Sequence, residues 1–178
     1  MSDEAAQHAF LRGTHLLEVG RHEEAAAFFR ESIAHDASYA AAFANLSRCL
    51  LEIEGKKEEA LGAIDGAIAL EPEESYYHAL RSMVLVERHK NSEALRAAQE
   101  AVRLSPGEPF THATEARAHL AAEKWATAEI CARRALYHRW RLRLCAKYPG
   151  QWRCGSKAGW RKTRSRWIGC SPTTRRMR

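Results

Sequence analysis

The chain has few residues that break helices, few that favour strands, and no long hydrophobic run. It holds 5 prolines and 10 glycines in 178 residues, which excludes a collagen-like chain and a wholly disordered one. Val and Thr are sparse and no alternating β-branched segment appears, so nothing competes with helix. No stretch reaches the roughly 18–20 uninterrupted apolar residues of a membrane helix, so no membrane span is expected. The start, Met1-Ser2-Asp3-Glu4-Ala5-Ala6, lacks the basic region and apolar core of a secretory leader, and none is expected. Five cysteines, an odd number with no Cys-x-x-Cys, suit a reducing, cytoplasmic location. His-Glu-x-x-His, a Gly-rich phosphate loop and Gly-x-Ser-x-Gly are all missing. The expectation is therefore no enzyme, no cofactor and no metal.

What is present divides in two. Residues 1–138 carry 15 Lys/Arg and all 22 Asp/Glu, whereas residues 139–178 carry 13 Lys/Arg and no acid. The formal charge of +6 and the high pI of about 9.2 therefore belong to the tail, and the body is mildly acidic. The tail also holds Trp140, Trp152, Trp160 and Trp167, together with Cys145, Cys154 and Cys170. A body of this size, 46% apolar over the whole chain, can bury the core of about one domain.

The body repeats. Small residues recur at Gly13, Ser47, Ser82 and Ala116, and alanines recur at Ala25, Ala60, Ala94 and Ala128. The steps are 34 or 35 residues, and both series place one extra residue between Ser47 and Ala60, in the Glu54-Gly55-Lys56-Lys57 loop. Each period reads as two helices. Phe10, Gly13, Leu16 and Leu17 form an apolar stripe, Gly20-Arg21-His22 turns the chain, and Ala25, Phe28, Phe29, Ser32 and Ile33 form a second stripe. Phe43, Leu46, Leu50 and Leu51, then Gly55, then Ala60, Ile64, Ala67 and Ile68 repeat the scheme. The second and third periods close at Leu70-Glu71-Pro72 and Leu104-Ser105-Pro106, where proline disfavours helix in the residue before it. The small residues should lie where the two helices of one period touch, so a large side chain there should cost about 1–3 kcal/mol by overpacking.

This pattern resembles the tetratricopeptide repeat, a helix-turn-helix unit of 34 residues with a small residue in helix A, Ala-x-x-x-Phe in helix B, and a closing proline. Ala25-x-x-x-Phe29 and Ala60-x-x-x-Ile64 carry the helix-B signature, and Ala94-x-x-x-Ala98 and Ala128-x-x-x-Ala132 follow it in part. The position that the family fills with a large aromatic holds Ala9, Phe43, His78 and His112. The resemblance implies an all-α, right-handed α-solenoid of about four helix-turn-helix repeats, at about 6–39, 40–74, 75–108 and 109–138, within a repeat domain of residues 1–138. A helical extension or cap over 139–148 and a basic, irregular, disordered tail over 149–178 are expected to follow.

Because one hairpin cannot cover its own apolar face, such units stack, and their A helices line a concave groove. The resemblance implies a non-catalytic interaction scaffold or adaptor that holds a protein or peptide ligand in that groove. The groove positions carried over are Gln7, Phe10 and Thr14, then Ala41, Ala44, Asn45 and Arg48, then Tyr76, Ala79 and Met83, then Phe110, Ala113 and Arg117. Small and apolar residues with two arginines suit an extended or helical peptide with apolar anchors and one or two acids. Some relatives grip a terminal carboxylate with Lys, Asn and Arg on three successive A helices. Asn45 matches that asparagine, but Phe10, Thr14, Tyr76 and Leu80 stand where the charges would be, so that clamp is not expected. An uncapped last repeat would leave an apolar end through which the chain could self-associate.

Nine histidines invite a metal reading. His8, His15 and His22 are spaced by seven, as are His112 and His119, but seven residues are two turns of any amphipathic helix. Core packing is expected of His78, His112 and His119, and of Cys49 and Cys131 as small apolar residues. Glu23-Glu24, Glu58-Glu59 and Glu73-Glu74 are expected in first turns, where they complement the helix dipole. For Cys145, Cys154 and Cys170 the spacing is not that of zinc sites, with or without His138. The last helix B is expected to run to about Lys147, ending at Pro149-Gly150. Three readings of the tail stand side by side. It is a basic arm for nucleic acid or an acidic membrane, with Arg for phosphates and Trp for stacking; or residues 139–148 cap the stack with Trp140, Leu142 and Leu144; or the tail is an out-of-frame segment. The alternative function that follows is a nucleic-acid-associated adaptor docked through residues 139–178.

Overall fold

The structure is a computed structural model that describes the backbone of residues 2–147 and the side chains of residues 4–139. Within it lie eight α-helices and no strand: α1 (Ser2–Glu18), α2 (His22–His35), α3 (Ala40–Glu52), α4 (Lys57–Leu70), α5 (Ser75–Glu87), α6 (Asn91–Leu104), α7 (Pro109–Ala121) and α8 (Trp125–Lys147). They pair as four A–B hairpins and stack into a right-handed α-solenoid. Residues 148–178 lie outside the described residues, and so does the expectation of a disordered basic tail. The side chains of Trp140, Leu142 and Leu144, to which capping was assigned, lie outside them too.

The turns explain the period. One left-handed residue sits in every A–B turn: Gly20 (φ 81°), Gly55 (φ 77°), His89 (φ 58°) and Glu123 (φ 58°). Glycine enters that region without a Cβ clash, whereas His89 and Glu123 do so at a cost of about 1–2 kcal/mol. Three residues separate α1 from α2, α5 from α6 and α7 from α8, but four separate α3 from α4. The extra residue inferred from the two small-residue series therefore lies in the Ile53–Lys56 turn. Between hairpins, α4 and α6 end two residues before Pro72 and Pro106. The carbonyls of those prolines accept from His78 Nε2 (2.8 Å) and His112 Nε2 (3.0 Å). Both histidines occupy the position that the family fills with aromatics. His112 and His119 are buried, as expected of core residues, but His78 is only half-buried. Its ring bonds the loop instead of entering the core.

The two small-residue series meet. A Cβ on Gly13 would stand 2.9 Å from Phe29 Cε1, so α1 and α2 approach closely only because residue 13 is glycine. At the next two positions serine takes the place and adds a bond: Ser47 Oγ donates to the Ala60 carbonyl, and Ser82 Oγ to the Ala94 carbonyl, each at 2.8 Å. Ser32 Oγ donates to the Ala6 carbonyl at 2.9 Å. These hydroxyls are fully buried, and a buried hydroxyl without a partner would be costly. The core runs through the first three hairpins. One cluster holds Phe29, Leu46, Leu50 and Val84; a second holds Ile64, Tyr77 and Leu80; the third holds Leu85 and alanines of α6 and α7. Full burial of a side chain such as Phe29 or Ile64 contributes about 1.5–3 kcal/mol. Phe28 stays half-buried, with the Arg12 guanidinium 4.6 Å above its ring.

Polar links join successive hairpins at offsets of 29 or 30 residues. Arg30 pairs with Glu59 (3.0 Å), Lys57 with Glu87 (3.4 Å), and Arg117 with Glu87 (2.5 Å). The first residue of a B helix also reaches the end of the next A helix. Lys57 Nζ donates to the Glu87 carbonyl at 3.2 Å, and Asn91 Nδ2 to the Ala121 carbonyl at 2.6 Å. Glu23-Glu24 and Glu58-Glu59 lie in first turns. Glu73-Glu74 does not: Glu74 is the cap before α5, and its carboxylate accepts the Tyr76 N–H at 3.1 Å.

Candidate functional site

The A-helix face carries an open groove of about 420 Å³, lined by Leu17, His22, Arg48, Leu51, Glu52, Tyr76, Leu80, Met83 and Phe110. It thus spans all four hairpins. Helical periodicity builds it. Residues four or seven apart on one A helix share a face, so Arg48 stands with Glu52, and Tyr76 with Leu80 and Met83. Tyr76 and Phe110 meet across the hairpin boundary at 5.6 Å between ring centroids, a distance typical of attractive aromatic pairs. A smaller recess of about 210 Å³ beside it is lined by Ala41, Ala44, Asn45, Glu74, Tyr76 and Tyr77.

Of the eight side chains singled out from sequence, four line the groove together: Arg48, Tyr76, Met83 and Phe110. Asn45 lies in the smaller recess and accepts from Arg48 NH1 at 3.3 Å. Phe10 and Thr14 do not join them. The Phe10 ring packs against Phe29 (5.7 Å) and Tyr39 (4.8 Å), and Thr14 Oγ1 donates to the Leu11 carbonyl at 2.8 Å. Arg117 is held by Glu87, one turn beyond Met83 on α5. Two of the alanines carried over from the family are not on the groove surface: Ala44 is buried beside Ile64 and Tyr77, and Ala79 is fully buried. Ala44 packs with Ile64 of α4 and Tyr77 of α5, at the seam between the second and third hairpins, where a methyl group lets the helices approach.

The charge of the groove is more balanced than two arginines suggest. Glu52 lines the groove beside Arg48, and Arg117, outside the lining, is paired with Glu87. Sequence reasoning missed both acids, and also Leu17, Leu51 and Leu80. The signal was available, since each lies three or four residues from a named position, or seven in the case of Leu17 and Phe10. Beside the groove, Tyr77 donates to Glu71 Oε2 at 3.2 Å. Burial first, and then the nearby Glu71 carboxylate, push its phenol up to about 12. It stays a neutral donor throughout the ordinary pH range.

The last described hairpin has a different surface. Between α7 and α8 runs an apolar trough of about 470 Å³, lined by Pro109, Phe110, Ala113, Ala116, Ala132, Ala135, Leu136 and Arg139. Among the described residues, no helix is long and apolar enough to cross a membrane.

Residues 16–84 match the family model described as tetratricopeptide repeat. No curated protein sequence matches the chain. Solved structures with a similar fold include a crystal structure of MamA, at 19% identity and a TM-score of 0.67, covering 80% of this chain and 81% of that one. They include PilF of Pseudomonas aeruginosa, at 23% identity and a TM-score of 0.68, covering 77% of this chain and 62% of that one. The first tetratricopeptide domain of Spaghetti (RPAP3), bound to the HSP90 peptide SRMEEVD, is similar at 16% identity and a TM-score of 0.63, covering 68% of this chain and 95% of that one.

Proposed function

We propose a role from one premise: the chain is a tetratricopeptide-repeat protein. Its work is that of a non-catalytic scaffold in the cytoplasm, which holds a peptide or a segment of a partner protein against the A-helix face. The observation that carries this reading is the groove shared by Arg48, Tyr76, Met83 and Phe110. Its chemistry favours apolar anchors, seated between Tyr76, Leu80, Met83 and Phe110, flanked by one acid near Arg48. Glu52 admits a basic residue beside that acid. The fold likeness to a domain with a peptide bound supports the class of ligand and not its sequence. Carboxylate-terminated tails fit poorly, because Phe10, Thr14, Tyr76 and Leu80 offer no cation at the places where a clamp would need one.

The test is selection from a displayed random-peptide library against the full chain, followed by fluorescence anisotropy on the selected peptides. Arg48→Glu with Tyr76→Ala should weaken binding at least about tenfold, as losing central contacts does. Arg103→Glu, on the exposed side of α6, should leave it unchanged. Peptides that bind the groove variant as tightly as the parent would remove the groove from the account.

A further inference from the structure

The fourth hairpin encloses a polar cluster that the groove does not use. Glu115 and His119 lie four residues apart on α7 and so share a face. Cys131 faces them from α8. One ligand atom from each of the three lies within 4.8 Å of the others. His119 is 7% exposed and Cys131 3%, and the Glu115 side chain is 13% exposed. Glu115 Oε2 and His119 Nδ1 have no hydrogen-bond partner among the described residues. Buried polar atoms in folded proteins nearly always have one, because an unmade bond in the interior costs about 1–3 kcal/mol.

A fourth group sharpens the point. His112 Nε2 lies 3.0 Å from the Pro106 carbonyl. A carbonyl oxygen only accepts, so Nε2 carries a proton, and Nδ1 is the ring nitrogen turned toward Glu115. That Nδ1 lies 3.7 Å from Glu115 Oε2 and has no hydrogen-bond partner either. A backbone carbonyl on the far nitrogen is also how metal-ligating histidines are commonly oriented. The nearby cation on α8 is Arg134, which acts on Cys131 more weakly than burial and Glu115 do.

We propose that Glu115, His119 and Cys131 bind one divalent transition metal of the zinc class, with a water molecule in the fourth position. Zinc bonds to sulfur at about 2.3 Å and to nitrogen or oxygen at about 2.0–2.2 Å, which sets the edges of its tetrahedron at about 3.3–3.8 Å. Separations of no more than 4.8 Å close to that by small side-chain rotations. A thiolate, an imidazole and a carboxylate select zinc-like ions over magnesium or calcium, which take oxygen ligands. On binding, the Cys131 thiol releases its proton to solvent and its sulfur forms the metal bond. The charges of thiolate and carboxylate then balance the dication. The site would tie α7 to α8 in the hairpin that has the fewest large apolar side chains to hold it.

The experiment uses the full chain with Cys145→Ser, Cys154→Ser and Cys170→Ser, so that Cys49 and Cys131 are its remaining thiols. Titration with Co²⁺ alone should give, at one equivalent, a thiolate-to-metal band in the near ultraviolet and the intense visible bands of tetrahedral cobalt, both displaced by Zn²⁺. Cys131→Ala should abolish the thiolate band, His119→Gln should weaken Co²⁺ binding at least about tenfold, as loss of an inner ligand or its support does, and Cys49→Ala should change nothing. Helical circular dichroism checks that each variant is folded. Should Cys131→Ala lose its helix signal, the comparison moves to melting: Zn²⁺ should raise the Tm of the parent and not that of His119→Gln. A folded parent with no thiolate band at stoichiometric Co²⁺, a band that survives Cys131→Ala, or an equal Zn²⁺ shift in His119→Gln would overturn the site.

Discussion

The first three hairpins and the fourth obey the same period and fill it with different chemistry. In the first three, Phe29, Leu50, Ile64 and Leu85 are fully buried and interlock across helix boundaries. In the fourth, the buried positions are Thr111, His112, Thr114, Ala116, Ala118, His119, Ala128 and Cys131, while Trp125 is 66% exposed, and Ile130, Leu136 and Tyr137 are more than half exposed. An end position does not by itself produce the contrast: among the described residues the first hairpin also has a neighbour on one side only, yet it buries Phe29 with Leu46, Leu50 and Val84. The difference lies in the residues that the fourth hairpin places at its seam. Lys57 and Asn91 each reach a carbonyl of the next A helix; Trp125, at the same place in the fourth hairpin, is left exposed. A repeat that keeps the period without the apolar filling is held by other means, and its interior is where a polar function can be installed.

The contrast can be broken in a graded way. The largest effect is expected at Phe29: Phe29→Ala should cost about 3–5 kcal/mol in urea unfolding, by lost transfer energy and a cavity. Ile130→Ala, in the last described hairpin, should change stability by less than about 0.5 kcal/mol; equal losses would mean that the fourth hairpin is packed like the others. Next, Gly13→Val should cost about 1–3 kcal/mol by forcing α1 and α2 apart at the Phe29 ring. Chemical unfolding in which Gly13→Val matches the parent would show that the seam yields. Smaller and of opposite sign, Gly62→Ala should stabilise by about 0.8–1 kcal/mol, since a Cβ there meets nothing within 4 Å and alanine favours helix. Glu123→Gly should stabilise similarly, by relieving the left-handed residue in the fourth turn; a fall in the melting temperature of either variant would count against the turn geometry.

The smallest effect concerns acid. Hydrogen bonds from Ser38 hold the Asp36 carboxyl below its ordinary 3.8, and Lys56 and Arg103 hold Glu59 and Glu100 below 4.5. A depressed folded pKa means stability that is present above the unfolded value and lost as pH falls through the folded one. These groups are solvent-exposed, so the melting temperature should decline only slightly below about pH 4, and high salt should blunt the Glu59 and Glu100 shares. All three acids lie in the first three hairpins or their connections. A melting temperature that rises on acidification would refute the assignment.

Much of the fold was legible before any coordinates, for a mechanical reason. The two small-residue series mark where helices touch, and contact between helices tolerates little variation in volume. Hence Gly13 against Phe29, Ser47 on Ala60 and Ser82 on Ala94 could be anticipated, and the extra residue in the second turn with them. The groove was legible in part. Arg48, Tyr76, Met83 and Phe110 line it as a group, whereas Phe10 turned to its aromatic neighbours, Ala44 turned to Ile64 and Tyr77, and Ala79 is fully buried. Spacing along one helix gives a face to within a turn; it does not say where that face meets the next hairpin. Glu87 shows the limit well, since its pairing with both Lys57 and Arg117 joins residues 30 apart on either side.

The period of 34 or 35 residues, the helical hairpin, the turn insertion and the small-residue seam were set by the sequence alone, because each rests on local propensity and on volume at a repeating contact. Which groove residues face one another, which arginine is neutralised by an acid from the neighbouring hairpin, and how Glu115 and His119 come to stand beside Cys131 were decided only by the tertiary structure. Those relations depend on how one hairpin rotates and shifts against the next. That rotation is the sum of many weak contacts, and no single stretch of sequence encodes it.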